Sequence, residues 1–144
     1  METREPIPAD FMQMLDRYQT ATAAMGRGDA EPFIELWSRE NDVSLFGAFG
    51  PCKQGWDELS RTFRWVASRF NGDDFRCDAT ITIVSGDTAY TVGYERSERM
   101  SVDGGQPTPV VVRVTQVYRR EASDWKLIHR HGDFAPTDQN AARI

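Results

Sequence analysis

RVTQVYRREASDWKLIHRHGD, residues 113–133, carries the clearest structural signal in this chain of 144 residues. Polar and apolar side chains alternate on both sides of Ala122-Ser123-Asp124, and alternation with a period of two is typical of β-strands. The short polar segment between the two runs is typical of a tight turn. The stretch therefore predicts a hairpin, with one strand from Val110 to Glu121 and the next from Trp125 to Asp133.

The sequence before this hairpin predicts two further strands. Between residues 75 and 83 apolar and polar residues alternate strictly, which places five residues on one face: Phe75, Cys77, Ala79, Ile81 and Ile83. Segment 85–87 then turns the chain into a strand from Thr88 to Val102, and Asp103-Gly104-Gly105 begins the next turn. Four consecutive strands joined by turns predict a mostly antiparallel sheet.

The N-terminal half predicts three helices. Apolar residues recur at steps of three and four within segments 8–25, 33–37 and 56–70. A short strand, 42–46, and a glycine-containing loop, 47–55, separate the second helix from the third, and this loop is a candidate mobile rim. Helices gathered before an antiparallel sheet predict an α+β fold.

A long, twisted sheet with three helices across one face would enclose a cone-shaped space. We expect a single domain, 1–144, with its core over about 8–134 and a loose tail at 135–144. Val110, Val112 and Val114 alternate with Val111 and Val117, so this strand is apolar on both faces. Because a monomer rarely leaves such a second face in water, we expect a homodimer through the outer face of the sheet.

Composition restricts the class of protein. The chain holds 17 basic and 22 acidic residues, a net charge of −5, whereas nucleic-acid-binding proteins normally carry a basic surplus. No apolar run reaches the roughly 18 residues of a membrane span, and the N-terminus lacks the pattern of a signal peptide. Cys52 and Cys77 do not form a disulfide framework. We expect a cytoplasmic protein that binds neither nucleic acid nor membranes.

The two histidines are the first candidates for catalysis. In the last strand, alternation places His129 and His131 on one face with Trp125 and Leu127, and imidazole suits proton transfer near neutral pH. Asp42, at the start of the short strand, is a candidate to orient a ring or to contact the substrate. The alternative is that the histidines are satisfied core or interface residues. Two histidines are too few for a metal site, so we expect none.

Other side chains are candidates for substrate binding. Arg113 could hold a carboxylate or an enolate, or it could pair with Glu95 on the adjoining strand. Tyr94 and Gln116 could stabilise the negative charge that develops on an oxygen. Three aromatic residues are candidates for the walls of an apolar cavity, with the alternative that each is plain core: Trp37, Phe46 and Trp65.

Segments 41–59, 87–97 and 113–133 together resemble the SnoaL-like family of the nuclear transport factor 2-like superfamily, which has the cystatin-like α+β cone fold. The chain is also similar to the association domain of calcium/calmodulin-dependent kinase II. The superfamily includes ketosteroid isomerases, polyketide cyclases, scytalone dehydratase, epoxide hydrolases and non-catalytic oligomerisation domains. The resemblance implies a pocket for a small hydrophobic molecule between the curved sheet and the helices.

Two positions depart from these relatives. The general-base aspartate of the ketosteroid isomerases corresponds to Phe46 here, and Asp42 lies four residues earlier. A pocket arginine of the kinase association domain corresponds to Gln116. We therefore expect either a cofactor-independent isomerase, cyclase or dehydratase that moves a proton on a hydrophobic carbonyl or ring compound, or a non-catalytic ligand-binding or oligomerisation domain.

Overall fold

The structure is a computed structural model and describes residues 6–136. Three helices lie against one face of a sheet, which we call the inner face. The helices are α1 (Ala9–Gly26), α2 (Glu31–Ile34) and α3 (Trp56–Arg69). The strands are β1 (Ser44–Phe46), β2 (Cys52–Gln54), β3 (Phe70–Asn71), β4 (Arg76–Ser85), β5 (Thr88–Val102), β6 (Thr108–Glu121) and β7 (Asp124–Phe134).

The strands form one strongly curved sheet in the order β2-β1-β7-β6-β5-β3, and β4 pairs with the other half of β5. The pairings between these strands are antiparallel except that of β1 with β7, and an isolated parallel bridge joins Trp37 to Leu127. The α+β cone fold is therefore confirmed. The sequence analysis does not predict β2 or β3, since β2 lies inside the predicted loop 47–55 and β3 overlaps the end of the predicted helix 56–70.

The helices are held to the inner face by aromatic packing. Phe11 of α1 contacts Tyr118 and Trp125 edge to face, with ring centroids 4.9 and 5.1 Å apart, and all three rings are buried. Phe63 of α3 packs against Phe33 of α2, and their ring centroids are 4.9 Å apart. These contacts use the helix faces that the steps of three and four predict.

A β-bulge interrupts β4. Ala79 pairs with Gly93 but Ile81 pairs with Val92, so Thr80 is an extra residue. Since paired residues share a face, Cys77 and Ala79 lie on the inner face, and Ile81 and Ile83 lie on the outer face. The prediction that all of these residues share one face is wrong, because one inserted residue reverses the alternation beyond it.

A second β-bulge has the same effect in β7. Tyr118 pairs with Leu127 but Val117 pairs with His129, which leaves Ile128 as the extra residue. Leu127 is fully buried on the inner face, while His129 lies on the outer face. The predicted face shared by the histidines with Trp125 and Leu127 is therefore wrong. Arg130, which strict alternation would place on the face opposite Trp125 and Leu127, is turned towards the helices instead.

The ends of the described chain add two observations. The N–H of Ala135 donates a hydrogen bond to the carbonyl oxygen of Val111 at 2.9 Å, so the sheet pairing runs one residue past Phe134. The remainder of the predicted loose tail, 137–144, lies outside the described residues. No helix within residues 6–136 combines the length and the apolar character that a membrane crossing requires.

Candidate functional site

A cavity of about 50 Å³ lies between the helices and the inner face of the sheet. Its walls are apolar and come from α1, α2, α3, the loop after β1 and the inner sheet face. The principal apolar lining residues are Met25, Phe33, Leu45, Phe49, Phe63, Val66, Phe70, Phe75, Val112 and Phe134. Such a lining suits a small apolar molecule.

Two charged residues also line this cavity, Glu95 from β5 and Arg130 from β7. Nη1 of Arg130 donates to Oε2 of Glu95 at 2.7 Å, and Nη2 donates to Oε1 at 2.6 Å. The side chains are 3% exposed for Glu95 and 12% exposed for Arg130. Charged residues are almost never buried without a partner, and this pair forms the bidentate fork that matches guanidinium to carboxylate.

A hydrogen-bond network supports the pair. The hydroxyl of Tyr18 donates to Oε2 of Glu95 at 2.5 Å, and Nη1 of Arg130 also donates to Oε1 of Gln116 at 2.9 Å. The amide of Gln116 then donates to the hydroxyl of Tyr118 at 2.8 Å. The guanidinium of Arg130 lies 5.3 Å from the ring centroid of Phe33. The network fixes both charged groups because every partner is itself buried.

The protonation states in this network follow from burial and charge. Burial alone lowers the pKa of Arg130, but the charge and hydrogen bonds of Glu95 outweigh burial and raise that pKa above its ordinary value. Burial, reinforced by the charge of Glu95, raises the pKa of Tyr18 well above its usual range. At neutral pH Arg130 is therefore a cation and Tyr18 is a neutral hydrogen-bond donor.

The mouth of the cavity is aromatic. Phe49, on the loop between β1 and β2, contacts Trp65 at 5.8 Å and Phe134 at 5.1 Å between ring centroids. The guanidinium of Arg69 lies 3.9 Å from the Phe49 ring centroid and forms an ion pair with Asp103. Trp65 thus supports the mouth from outside. It contacts Phe49, which lines the cavity itself.

The histidines lie on the other side of the sheet. Nδ1 of His129 is 2.7 Å from the hydroxyl oxygen of Ser44, and burial lowers the pKa of His129. Phe46 packs edge to face on His129 and His131, with centroids 5.9 and 5.3 Å away, and is 47% exposed. The parallel pairing of β1 with β7 places all four side chains on the outer face.

Two predicted polar residues form surface ion pairs. Asp42 accepts hydrogen bonds from Arg119 at 2.6 and 3.1 Å, and these bonds lower the pKa of the Asp42 carboxyl. Arg113 donates to Asp133 at 2.7 and 2.8 Å, on the strand opposite. Of the two alternatives for Arg113, pairing with Glu95 is therefore wrong, because β5 presents Glu95 to the inner face.

An outer groove of about 390 Å³ brings three predicted residues together: Tyr94, Arg113 and His131. Asp133 and Thr115 line the same groove. Neither Asp42 nor His129 is among its lining residues. The catalytic roles of His129, His131 and Asp42 stay predictions, and the structure separates all three from the inner cavity.

The last two predicted residues are buried on the inner side. Trp37 is part of the core, with its ring 5.4 Å from that of Phe63. Gln116 is fully buried and supports Arg130 from beneath rather than facing the cavity. Within residues 6–136 no three or more His, Cys, Asp or Glu side chains are grouped as metal ligands would be.

Comparison with known proteins identifies the family. The SnoaL-like domain matches residues 14–136. The chain belongs to the SnoaL-like family. A comparison with curated proteins gives no significant match.

Solved structures resemble this SnoaL-like protein over most of its length. A proposed dehydratase of the NTF2-like family from Streptomyces avermitilis is 25% identical, with 88% of this chain and 94% of that chain covered and a TM-score of 0.66. A ketosteroid isomerase-like protein from Erwinia carotovora atroseptica is 18% identical, with 90% and 100% covered and a TM-score of 0.73. A proposed calcium/calmodulin-dependent protein kinase type II association domain from Thiobacillus denitrificans is 20% identical, with 94% and 100% covered and a TM-score of 0.67.

Sequence reasoning missed the two charged residues of the SnoaL-like cavity. Alternation in β5 does place Glu95 with Ala89 and Thr91, on the inner face. A buried carboxylate needs a cation, and β6 places the apolar Val112 opposite Glu95, so the cation has to come from another strand. The need for a cation beside Glu95 is the signal in the sequence that points to Arg130. Arg130 can supply this cation only if the alternation in β7 reverses.

Proposed function

We propose that this SnoaL-like protein binds a small hydrophobic carbonyl or ring compound in its inner cavity and catalyses proton transfer on it without a cofactor. The observation that carries the proposal is a mostly apolar cavity in which the buried Glu95–Arg130 pair supplies the only charged lining residues among those described. Apolar walls supply affinity, and a few polar groups fix the orientation of a ligand. The proposed reaction is an isomerisation, a cyclisation or a dehydration.

Arg130 supports this chemistry by its position. Hydrogen bonds to Glu95 and Gln116 use three of its five N–H groups. A carbonyl oxygen of the bound molecule can accept from the remaining N–H groups. When a solvent base removes a proton from the neighbouring carbon, negative charge develops on that oxygen, and hydrogen bonds from fixed N–H donors in an apolar site strengthen as the charge develops; water then returns a proton to the product.

Binding is tested by NMR titration with cyclopentanone, a small uncharged carbonyl compound. We expect saturable shifts in the backbone amide signals of Ala48, Phe49 and Thr62. Val112→Leu adds a methylene group inside the cavity and should weaken binding, while the matched Val111→Leu on the outer face should leave it unchanged. Shifts confined to the outer groove, or equal affinity in both variants, would contradict the inner cavity as the site.

Proton transfer is tested by exchange of the α-protons of cyclopentanone in D₂O. We expect the wild-type protein to accelerate exchange over buffer, and Arg130→Met to remove most of that acceleration. Circular dichroism of the variant shows whether the fold survives. Saturable binding with no acceleration would reject the catalytic half of the proposal and retain the binding half.

A second candidate function, association into a homodimer, rests on the outer face of the sheet. Ile81 and Tyr90 are 37% and 43% exposed there, close to Val92 and Val117. Contiguous exposed apolar side chains of this kind mark protein interfaces. A second copy would cover the face with the same surface, as two-fold symmetry requires.

Analytical ultracentrifugation tests the association. We expect a dimer for the wild-type protein and a monomer for Ile81→Asp. Met12→Asp is the matched control, because Met12 is also an exposed apolar residue, at 48%, but belongs to α1 on the helical side. A monomeric wild type, or the same loss in both variants, would contradict an interface on the outer face.

A further inference from the structure

The cavity presents a cation and its counter-ion together. Glu95 and Arg130 are the two charged residues that line it, and their charges cancel. The other polar side chains in contact with them, Tyr18 and Gln116, are uncharged. Any charged group that entered this space would therefore remain without a counter-charge.

We propose that Glu95 determines the specificity of the cavity: it neutralises Arg130 from within and restricts the cavity to uncharged molecules. The inference rests on the proposed function, since it names the class of ligand for the same cavity. Glu95 is a specificity-determining residue here, in place of the catalytic base that its position beside the cavity suggests at first.

The geometry places Glu95 where a carboxylate ligand would bind. Its two oxygens accept from both Nη atoms of Arg130, at 2.6 and 2.7 Å, in the arrangement that an arginine offers to any carboxylate. Tyr18 directs its hydroxyl hydrogen to Glu95 as well. The groups that would recognise an anion are thus already used by a side chain.

Glu95 is equally unavailable to a cation. Its carboxylate accepts three hydrogen bonds, from the two Nη atoms of Arg130 and from Tyr18. An ammonium group in the cavity would lose its hydration and face Arg130 at short range, and a buried charge without a partner is strongly unfavourable. An uncharged oxygen loses much less hydration and still receives a hydrogen bond from a free Arg130 N–H.

Three probes with the same carbon chain measure this preference in the wild-type protein: butyramide, butyrate and butylamine at pH 7. Affinity is read from the backbone amide shifts of the cavity residues. We expect butyramide to bind at least about tenfold more tightly than either charged probe, because only the charged probes must be buried without a counter-ion. Butyrate or butylamine binding as tightly as butyramide would overturn the inference and leave the proposed function standing.

Removal of the Glu95 charge provides the second test. Glu95→Gln removes the internal counter-ion and exposes Arg130 to the ligand. We therefore expect the order of affinities to invert, with butyrate binding at least about tenfold more tightly than butyramide. Glu31→Gln is the matched control. Glu31 also accepts two hydrogen bonds from one arginine, Arg64, but this pair lies on the exposed surface. The order of probe affinities in Glu31→Gln should therefore remain that of the wild type.

The outcomes separate the two proposals. If folded Glu95→Gln binds the probes in the same order of affinity as the wild type, Glu95 does not determine the specificity of the cavity. If Glu95→Gln does not fold without ligand, butyrate but not butyramide should restore its circular dichroism spectrum, and the wild-type series decides independently. If no probe shifts the cavity signals in any of the three proteins, the proposed function fails, and the inference fails with it.

Discussion

The inner and the outer face of the sheet each hold an arginine–carboxylate pair with nearly the same geometry. Arg130 and Glu95 meet at 2.6–2.7 Å on the inner face, and Arg113 and Asp133 meet at 2.7–2.8 Å on the outer face. The exposed side-chain fractions differ: 12% and 3% inside, against 51% and 47% outside. Hydrogen-bond geometry is therefore not what separates the two pairs.

The difference lies in what replaces each pair when it is broken. On the outer face, water solvates whichever partner is left, so the pair adds little to stability. On the inner face, the remaining charge is buried and has no second counter-ion among the described neighbours. Two contacts of similar geometry therefore contribute unequally to the stability of the fold, and only the inner pair lines the inner cavity.

The largest effect is expected when the inner pair is broken. Arg130→Met retains the unbranched aliphatic part of the side chain and removes the cation, which leaves Glu95 buried and unpaired. We expect the free energy of unfolding to fall by about 3–5 kcal/mol. Urea denaturation followed by circular dichroism measures the change.

The matched variant on the outer face is Arg113→Met. It removes the same group from the exposed pair, so its urea midpoint should stay close to that of the wild type. Both variants should be compared at several protein concentrations, because association through the outer face would make the Arg113→Met midpoint depend on concentration. Equal losses in the two variants would contradict the contrast between the faces.

A smaller effect is expected from a methyl group on the inner face at the β4 bulge. Gly93 lies opposite Ala79, and a Cβ at Gly93 would lie 2.3 Å from the carbonyl oxygen of Asp78. Because that oxygen belongs to the backbone, relief requires the bulge itself to move. We expect Gly93→Ala to lower the free energy of unfolding by about 1–3 kcal/mol, measured by the same urea experiment.

Gly132 is the control for this prediction, since it also lies on the inner face, opposite Val114. A Cβ there would meet a methyl carbon of Val112 at 3.3 Å, which a small side-chain movement can accommodate. Gly132→Ala should therefore lose much less stability than Gly93→Ala. If Gly93→Ala were neutral, the close approach of β4 to β5 at the bulge would be in doubt.

Much of the fold could be predicted from periodicity. The helical stripe of α1 and the regular alternation of β6 give the correct buried faces, because no residue is inserted in either element. Phe11 and Met14 on the helix, and Val112 and Val114 on the strand, are buried as this periodicity requires. The period is the physical signature of one side facing the core.

The site could not be predicted in the same way, because a bulge precedes it. The extra residue Ile128 reverses the alternation in β7 two residues before Arg130, so strict alternation predicts the wrong face for every residue that follows it in the strand. An inserted residue has no distinctive type, and single-strand alternation does not reveal it. The charge balance between strands does, since buried Glu95 requires the buried cation that Arg130 supplies.

The smallest effect concerns the titration of His129 on the outer face. Burial, together with the charge of His131, lowers the pKa of His129 below its ordinary value of about 6.5, although a hydrogen bond with the backbone of Ser44 opposes this. The folded protein thus favours neutral His129. As pH falls below about 6.5, the unfolded chain binds the proton first, so stability decreases until the pH passes the lowered pKa of the folded state. The stability linked to His129 is fully present above that window.

Urea midpoints between pH 7.5 and 5 measure this dependence. We expect a modest fall with decreasing pH in the wild type and a flatter profile in His129→Gln. Asp42 and Asp133 have pKa values lowered by their arginine partners, so both stay ionised in this range and add no slope. The inner cation adds none either, because the pKa of Arg130 is raised. An unchanged slope in His129→Gln, or a midpoint that rises as the pH falls, would show that the outer histidine is not held in its neutral form.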